Sequence, residues 1–318
     1  MPEHALTEML KWKRPEGSAS QRYWCKRYLE PTFGAPDSHG NYIHIVYNKD
    51  KSHPNLCFAA HHDTVHKDSG TQNVIVTGDI ATAPGSNCLG ADCTTGCWLI
   101  LGMIQEQVPG VYVIHAGEEI GCVGSSALVK DYPLWLDHID AVISFDRKGT
   151  ESVITHQLGQ RTCSDAFAVS FSQALGMPEL RPDNTGSYTD SNEYANIVSE
   201  CTNISVGYYA QHTSKESQDV FFAYKLLDAL TSADWSKLVF ERDPADIEPY
   251  MFKNPEDYND YIYGNKRLNR NNLYDLDDMV RDYPSEIASI LDDWGVDAEY
   301  LWDQLVAMGY DSPERKAS

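Results

Sequence analysis

The chain has 318 residues and a formal net charge of −22. That excess of carboxylates argues against nucleic acid or a membrane surface as partner and favours attraction of cations. A hydrophobic share of 42% can build a sizeable core, and no apolar run is long enough to span a bilayer.

Met1–Gly17 is polar and carries no apolar signal segment. The eight cysteines are therefore expected as reduced thiols of a cytoplasmic protein. Cys57 and Cys97 lie in apolar runs, where cysteine acts as a small hydrophobe. Cys88, Cys93 and Cys97 contain no Cys-x-x-Cys pair, which argues against a zinc ribbon.

In chain order, residues 1–35 read as helix and then loop, with Trp24, Tyr28 and Leu29 at helical spacing and Pro31 closing the segment. Asn41–Asn48 alternates as a strand. Leu56–Ala60 is a short apolar run of the buried-strand type, and it runs into His61-His62-Asp63. Val74–Thr82 is β-branched and reads as one strand, followed by a loop over Ala83–Cys88. Thr94–Gln107 is an apolar helix with cap chemistry at Asp92, Thr94 and Thr95. Val111–Ala116 is a buried strand ending at Gly117-Glu118-Glu119. Val123–Lys130 is helical, and Ala141–Phe145 is a buried strand ending at Asp146. Ser152–His156 is a strand. Ser164–Leu175 is a helix stopped by Gly176 and Pro178. Thr202–Tyr209 is a strand leading to His212, and Ser217–Ala233 is an amphipathic helix. Strands alternating with helices predict an α/β domain over residues 1–235.

From Ser236 onward the composition shifts to 19 acidic against 9 basic residues. Short helical patterns follow over Leu273–Val280, Ser285–Trp294 and Asp297–Met308. Residues 236–318 are expected to form a small acidic helical appendage. Its apolar faces need a docking partner, in the same chain or a second copy, so a homo-oligomer is one outcome.

Polar residues cluster where the buried strands end: His61 with Asp63, Asp92, Glu118 with Glu119, Asp146, and then His212. In open α/β sheets the carboxyl ends of strands line the ligand crevice. Taken singly, each has a structural alternative. Glu118-Glu119 could begin a helix, Asp92 could cap one, Asp146 could sit in a turn, and His212 could be a surface histidine. Together, two His, two Asp and two Glu suit a pair of divalent metal ions with nitrogen and oxygen ligands. Asp92 is the obvious bridge. Asp63 can hold the second ring nitrogen of His61. One of the adjacent glutamates is left over, as a general base requires.

The stretches Ala60-His61-His62-Asp63-Thr64-Val65, Leu89-Gly90-Ala91-Asp92, Ala116-Gly117-Glu118-Glu119-Ile120-Gly121, Ser144-Phe145-Asp146 and Gln211-His212-Thr213 resemble, in this order, the co-catalytic zinc peptidases. The similar families are the M28 aminopeptidases and the M20 aminoacylase and carboxypeptidase group. The resemblance spans about residues 40–235. It implies a three-layer α/β/α fold on a mixed, mostly parallel sheet, and two zinc ions, with cobalt or manganese as substitutes. It places His61, Asp92 and Asp146 on one ion and Asp92, Glu119 and His212 on the other. Glu118 becomes the base and Asp63 the residue that orients His61. Tyr188-Thr189-Asp190-Ser191 resembles a substrate-pocket loop of the same families. The chain departs from them twice. Asp146 and His212 are 66 residues apart, which leaves no room for the M20 lid domain, so the catalytic domain stands alone as in M28 enzymes. Many relatives carry Asp or Asn after the bridging aspartate, where this chain has Cys93.

The resulting expectation is a hydrolase that cleaves an amide bond of a small peptide or an acylated amino acid. Glu118 activates a metal-held water and then passes its proton to the leaving amine. Tyr188, Tyr208 or Tyr209 can donate to the oxyanion. Asp190 and Glu193 are candidates for a substrate ammonium, and Arg147 for a substrate carboxylate. The alternatives are an amidohydrolase for a non-peptide amide and a catalytically idle binding protein of the same fold.

Overall fold

The computed structural model describes residues 5–245, together with Val280, Ile287 and Leu301. Its centre is a seven-stranded mixed sheet. In chain order the strands are β1 (Tyr42–Val46), β2 (Leu56–His61), β3 (Gly110–His115), β4 (Ala141–Arg147), β5 (Ser152–Ile154), β6 (Arg181–Asp183) and β7 (Glu200–Ser205). In space they run β6-β5-β7-β4-β2-β3-β1. The pairs β2/β3, β2/β4, β4/β7 and β5/β6 are parallel. The edge pair β1/β3 and the pair β5/β7 are antiparallel.

The inner strands are buried on both faces, as their continuous apolar runs require. Phe58, Ala60, Tyr112, Ile114, Ile143 and Phe145 face one core. Their alternates Cys57, Ala59, Val111, Val113 and Val142 face the other. The helices α1 (Ala19–Tyr28), α2 (Ala91–Gln105), α4 (Asp165–Leu175) and α5 (Val220–Ser232) contribute to the first core, through Trp24, Trp98, Phe171 and Leu226. The helix α3 (Val123–Asp131) contributes Leu128 to the second. This is the three-layer α/β/α arrangement with a mixed sheet. The helix α2 lies tight on β4: a Cβ at Gly96 would sit 2.4 Å from the Phe145 carbonyl oxygen, so only glycine lets this helix approach so closely.

Several elements differ from their sequence patterns. Val74–Thr82 is a hairpin of Ile75–Thr77 and Ile80–Thr82, because Gly78-Asp79 turns the chain. Thr202–Tyr209 is broken at Gly207, whose φ of +93° no strand accommodates. Tyr208–Tyr209 then pairs in a second, four-stranded sheet. Ser217–Asp219 joins that sheet before α5 begins, with Asp219 capping the helix. Pro31 does not end a helix. It sits in the first turn of Glu30–Phe33, where its missing N–H costs nothing.

Met1–Pro255 forms one compact unit and Glu256–Ser318 another. Residues 236–245 lie on the first unit. Leu238 is buried, Phe240 packs against Phe167, and the Arg242 guanidinium donates to the carbonyls of Ala195, Val198 and Ser199 at 2.7, 3.1 and 2.8 Å. The unit thus runs past the compositional shift at residue 236. The helices expected over residues 273–308 lie outside the described residues, apart from Val280, Ile287 and Leu301.

Candidate active site

The strand β2 ends on His61, which is fully buried. Its Nδ1 lies 3.4 Å from Asp63 Oδ1 and 3.2 Å from the Asp63 carbonyl oxygen. Its Nε2 lies 3.1 Å from Asp92 Oδ1, 3.4 Å from Asp146 Oδ1 and 3.9 Å from Glu118 Oε2. The Asp63 carboxylate also accepts from the Glu118 and Glu119 amides at 3.2 and 3.0 Å. One buried carboxylate therefore orients both the imidazole and the Glu118-Glu119 turn after β3.

Asp92 opens α2 and reaches two ways. Its Oδ1 faces His61, and its Oδ2 lies 3.2 Å from His212 Nε2. The same His212 nitrogen is 3.1 Å from Glu119 Oε2. Asp92 thus stands between two groups of donors, as a bridging ligand must. Asp146 is fixed at the end of β4 by the Asn203 side chain, which accepts from its amide and donates to its carbonyl, both at 2.9 Å. Thr189 Oγ1 donates to Asp146 Oδ2 at 2.8 Å, and the Tyr208 hydroxyl donates to its carbonyl at 2.9 Å. Cys93 follows Asp92 through a cis peptide bond, and its thiol donates to the Phe145 carbonyl at 3.0 Å.

Glu216 was not legible in the sequence. It is 2% exposed, and its carboxylate accepts from four successive amides: Leu89 at 2.8 Å, Gly90 at 3.0 Å, Ala91 at 2.8 Å and Asp92 at 3.2 Å. It ties the turn that carries Asp92 to the loop that carries His212. Its partners are backbone groups, which leave no residue pattern to find. Thr189 and Asn203 escaped for a similar reason, since nothing in either residue type marks a carboxylate partner.

The other expected positions are more scattered. Tyr188 and Tyr209 are 40% and 43% exposed, and the Tyr188 hydroxyl donates to Glu193. Asp190 is not open to solvent. It is 1% exposed, accepts from the Ser125 hydroxyl at 2.6 Å, and is pushed up to about 8 by burial. Arg147 is held by Thr185 at 2.7 Å and by Asp183 at 3.5 Å.

The charges around His61 and His212 perturb one another strongly. Burial, followed by Asp92, raises Glu119 to about 7 and Asp146 to about 6. Burial holds the Glu118 carboxyl well above its ordinary range, against the pull of His61. Burial lowers His212, but its hydrogen bonds to Asp92 and Glu119 outweigh it and push the imidazole to about 12. Five carboxylates, those of Asp63, Asp92, Glu118, Glu119 and Asp146, surround the two imidazoles. One buried oxygen, Glu119 Oε1, has no hydrogen-bond partner. The donor atoms of Asp92, Glu119 and His212 lie within 4.8 Å of one another, as do those of His61, Glu118 and Glu119. This donor set fits divalent metal ions of the zinc, cobalt or manganese type.

No curated protein matches the chain. Its structure is similar to a tripeptidase from Staphylococcus aureus, at 14% identity and a TM-score of 0.60, over 72% of this chain and 95% of that one. It is also similar to an aminopeptidase from Desulfurococcus kamchatkensis, at 13% identity and a TM-score of 0.57, over 71% and 92%. The aminopeptidase PepT from Bacillus cereus aligns at 14% identity and a TM-score of 0.56, over 71% and 95%. These likenesses establish the fold. Residues 41–194 match the model of peptidase family M28, a stretch that holds His61, Asp63, Asp92, Glu118, Glu119 and Asp146, with His212 beyond it. The chain is a metallopeptidase, and its residues 41–194 are similar to peptidase family M28.

Proposed function

We propose that the protein is an aminopeptidase-type hydrolase of small peptides. In this reading it uses two divalent ions, in the first instance zinc, with Glu118 as general base. His61, Asp92 and Asp146 would hold one ion, and Asp92, Glu119 and His212 the other. The observation that carries this reading is the additional carboxylate: Glu118 stands 3.9 Å from His61 Nε2, beside the five donors His61, Asp92, Asp146, Glu119 and His212. When bound, the ions supply Lewis acidity and acidify water. Asp63 keeps the His61 imidazole in one orientation. Glu118 takes a proton from the attacking water at its carboxylate and delivers it to the leaving amine. Burial of Glu118 raises its proton affinity, which suits the second half of that task.

Two observations favour a peptide with a free amino terminus over an acylated amino acid. Arg147, the candidate for a substrate carboxylate, is engaged by Asp183 and Thr185. Glu193, which Tyr188 contacts, leaves an acidic group near the surface. The similar structures include aminopeptidases and a tripeptidase. A chain that only bound ligands would have no use for Glu118. The test is hydrolysis of aminoacyl anilides by zinc-loaded protein, beside the same compounds N-acetylated. Cleavage of the free amines alone is expected. Cleavage of the acetylated series alone would shift the assignment to acyl-amino-acid hydrolysis, and cleavage of neither would favour the binding protein.

A further inference from the structure

We infer that Cys93 is an additional ligand of the ion held by His61, Asp92 and Asp146, and that it biases this site toward zinc and cadmium over manganese. The inference rests on the two-metal reading above.

The donor atoms of His61, Cys93 and Asp146 all lie within 4.8 Å of one another. Zinc bonds sulfur at about 2.3 Å and imidazole nitrogen or carboxylate oxygen at about 2.0–2.2 Å. Donors on one such ion stand at most about 4.5 Å apart, so this group is a candidate set for one ion. Cys93 is fully buried and directly follows Asp92, the residue proposed to bridge. Its thiol donates to the carbonyl of Phe145, at 3.0 Å. Phe145 precedes Asp146 in β4, so this contact holds the sulfur at the Asp146 end of the site.

The surroundings keep space for that sulfur. A Cβ at Gly96 would stand 2.6 Å from Cys93 Sγ, so glycine at this point of α2 leaves the thiol its position. The alternative role is that of a small hydrophobe, which suits Cys57 and Cys201 in the core under the other sheet face. Cys93 differs from them in its neighbours, a buried imidazole and a carboxylate. Cys97 provides an internal contrast. It is one helical turn further on, and its thiol donates to the His61 carbonyl at 3.1 Å, but it does not group with the imidazole and carboxylate donors as Cys93 does.

Binding would break the Cys93 S–H bond, form a metal–sulfur bond and release one proton to the buffer, as metal binding at thiols does. A thiolate among imidazole and carboxylates softens the donor set. Soft ligands favour zinc, whereas carboxylate and water suit manganese.

X-ray absorption at the zinc edge of the loaded wild-type protein tests this without any substitution. A sulfur scatterer at about 2.3 Å, one for every two zinc ions, is expected. Zinc surrounded by nitrogen and oxygen alone would overturn the inference and leave the two-metal reading standing. Failure to take up zinc at all would overturn both. Cobalt loading gives a second measure. Wild type and Cys97→Ser should show a near-ultraviolet thiolate-to-cobalt band, and Cys93→Ser should lose it while keeping the visible bands of bound cobalt. Persistence of the band in Cys93→Ser would also overturn the inference. In competition, Cys93→Ser should lose at least about tenfold of its preference for zinc over manganese, the low end of what a lost partner costs a metal site.

Discussion

The two halves of the candidate site are built on different foundations. His61 is fully buried at the end of an inner strand, and Asp63 holds its ring from behind. Asp146 sits at the end of the adjacent strand, gripped by Asn203, Thr189 and Tyr208. The other half depends on His212, which lies on a loop with a φ of +63° and a side chain 38% exposed. The first half is placed by the core. The second is placed by a loop, which has fewer packed neighbours to hold it. What compensates is Glu216, which clamps the Asp92 turn from four residues beyond His212.

The largest expected effect comes from removing the residue common to both halves. Asp92→Ala takes a donor from each, so we expect loss of both ions and of turnover. Elemental analysis that still finds two ions per chain would show that Asp92 does not bridge. Glu118→Gln should come next: both ions stay, and kcat falls at least about 100-fold, the usual scale for a general base. Turnover near that of wild type would place the base elsewhere.

Glu216→Gln sharpens the contrast between the halves. An amide cannot accept from four N–H groups with both of its terminal atoms, so the tether weakens. We expect metal affinity to drop about 10–100-fold, with the His212 half affected first. Chelator competition reads this as one ion leaving well before the other. Two ions leaving together, as in wild type, would mean that the tether does not distinguish the halves.

The smallest effect concerns the buried base of the site. Burial raises Asp190 to about 8 from an ordinary 3.8. The folded protein then keeps a proton that the unfolded chain releases between those values. The unfolded state binds fewer protons in that window, so stability falls as pH rises through it. Asp190→Asn removes this slope. In metal-free protein the two Tm profiles should meet at acid pH and diverge toward pH 8, with the variant the more stable. Parallel profiles would show that Asp190 is ionised in the fold.

Much of the first half could be read from the chain. Leu56–His61, Gly110–His115 and Ala141–Arg147 are buried throughout or nearly so. A strand enclosed on both faces must be apolar, so the polar residue that ends it stands out. That is why His61, Glu118 and Asp146 were legible. Hairpins and short strands were less so, because Gly78 and Gly207 redirect the chain within otherwise regular β-branched runs. Asp190 and Arg147 are polar residues near the right motifs, but whether a carboxylate faces solvent or Ser125 is not encoded in its own identity.

By itself the sequence determined the order of the inner strands and the longer helices, the two buried faces of the sheet and the charged residues at or just after the ends of its inner strands. These follow from local periodicity and from the exclusion of unpaired charge from a core. Only the tertiary structure decided which charges meet. The approach of His212 to Asp92, the grip of Glu216 on four amides and the placing of Cys93 beside His61 and Asp146 join segments far apart in the chain. Such contacts depend on how loops close over the sheet, and no local preference carries that information.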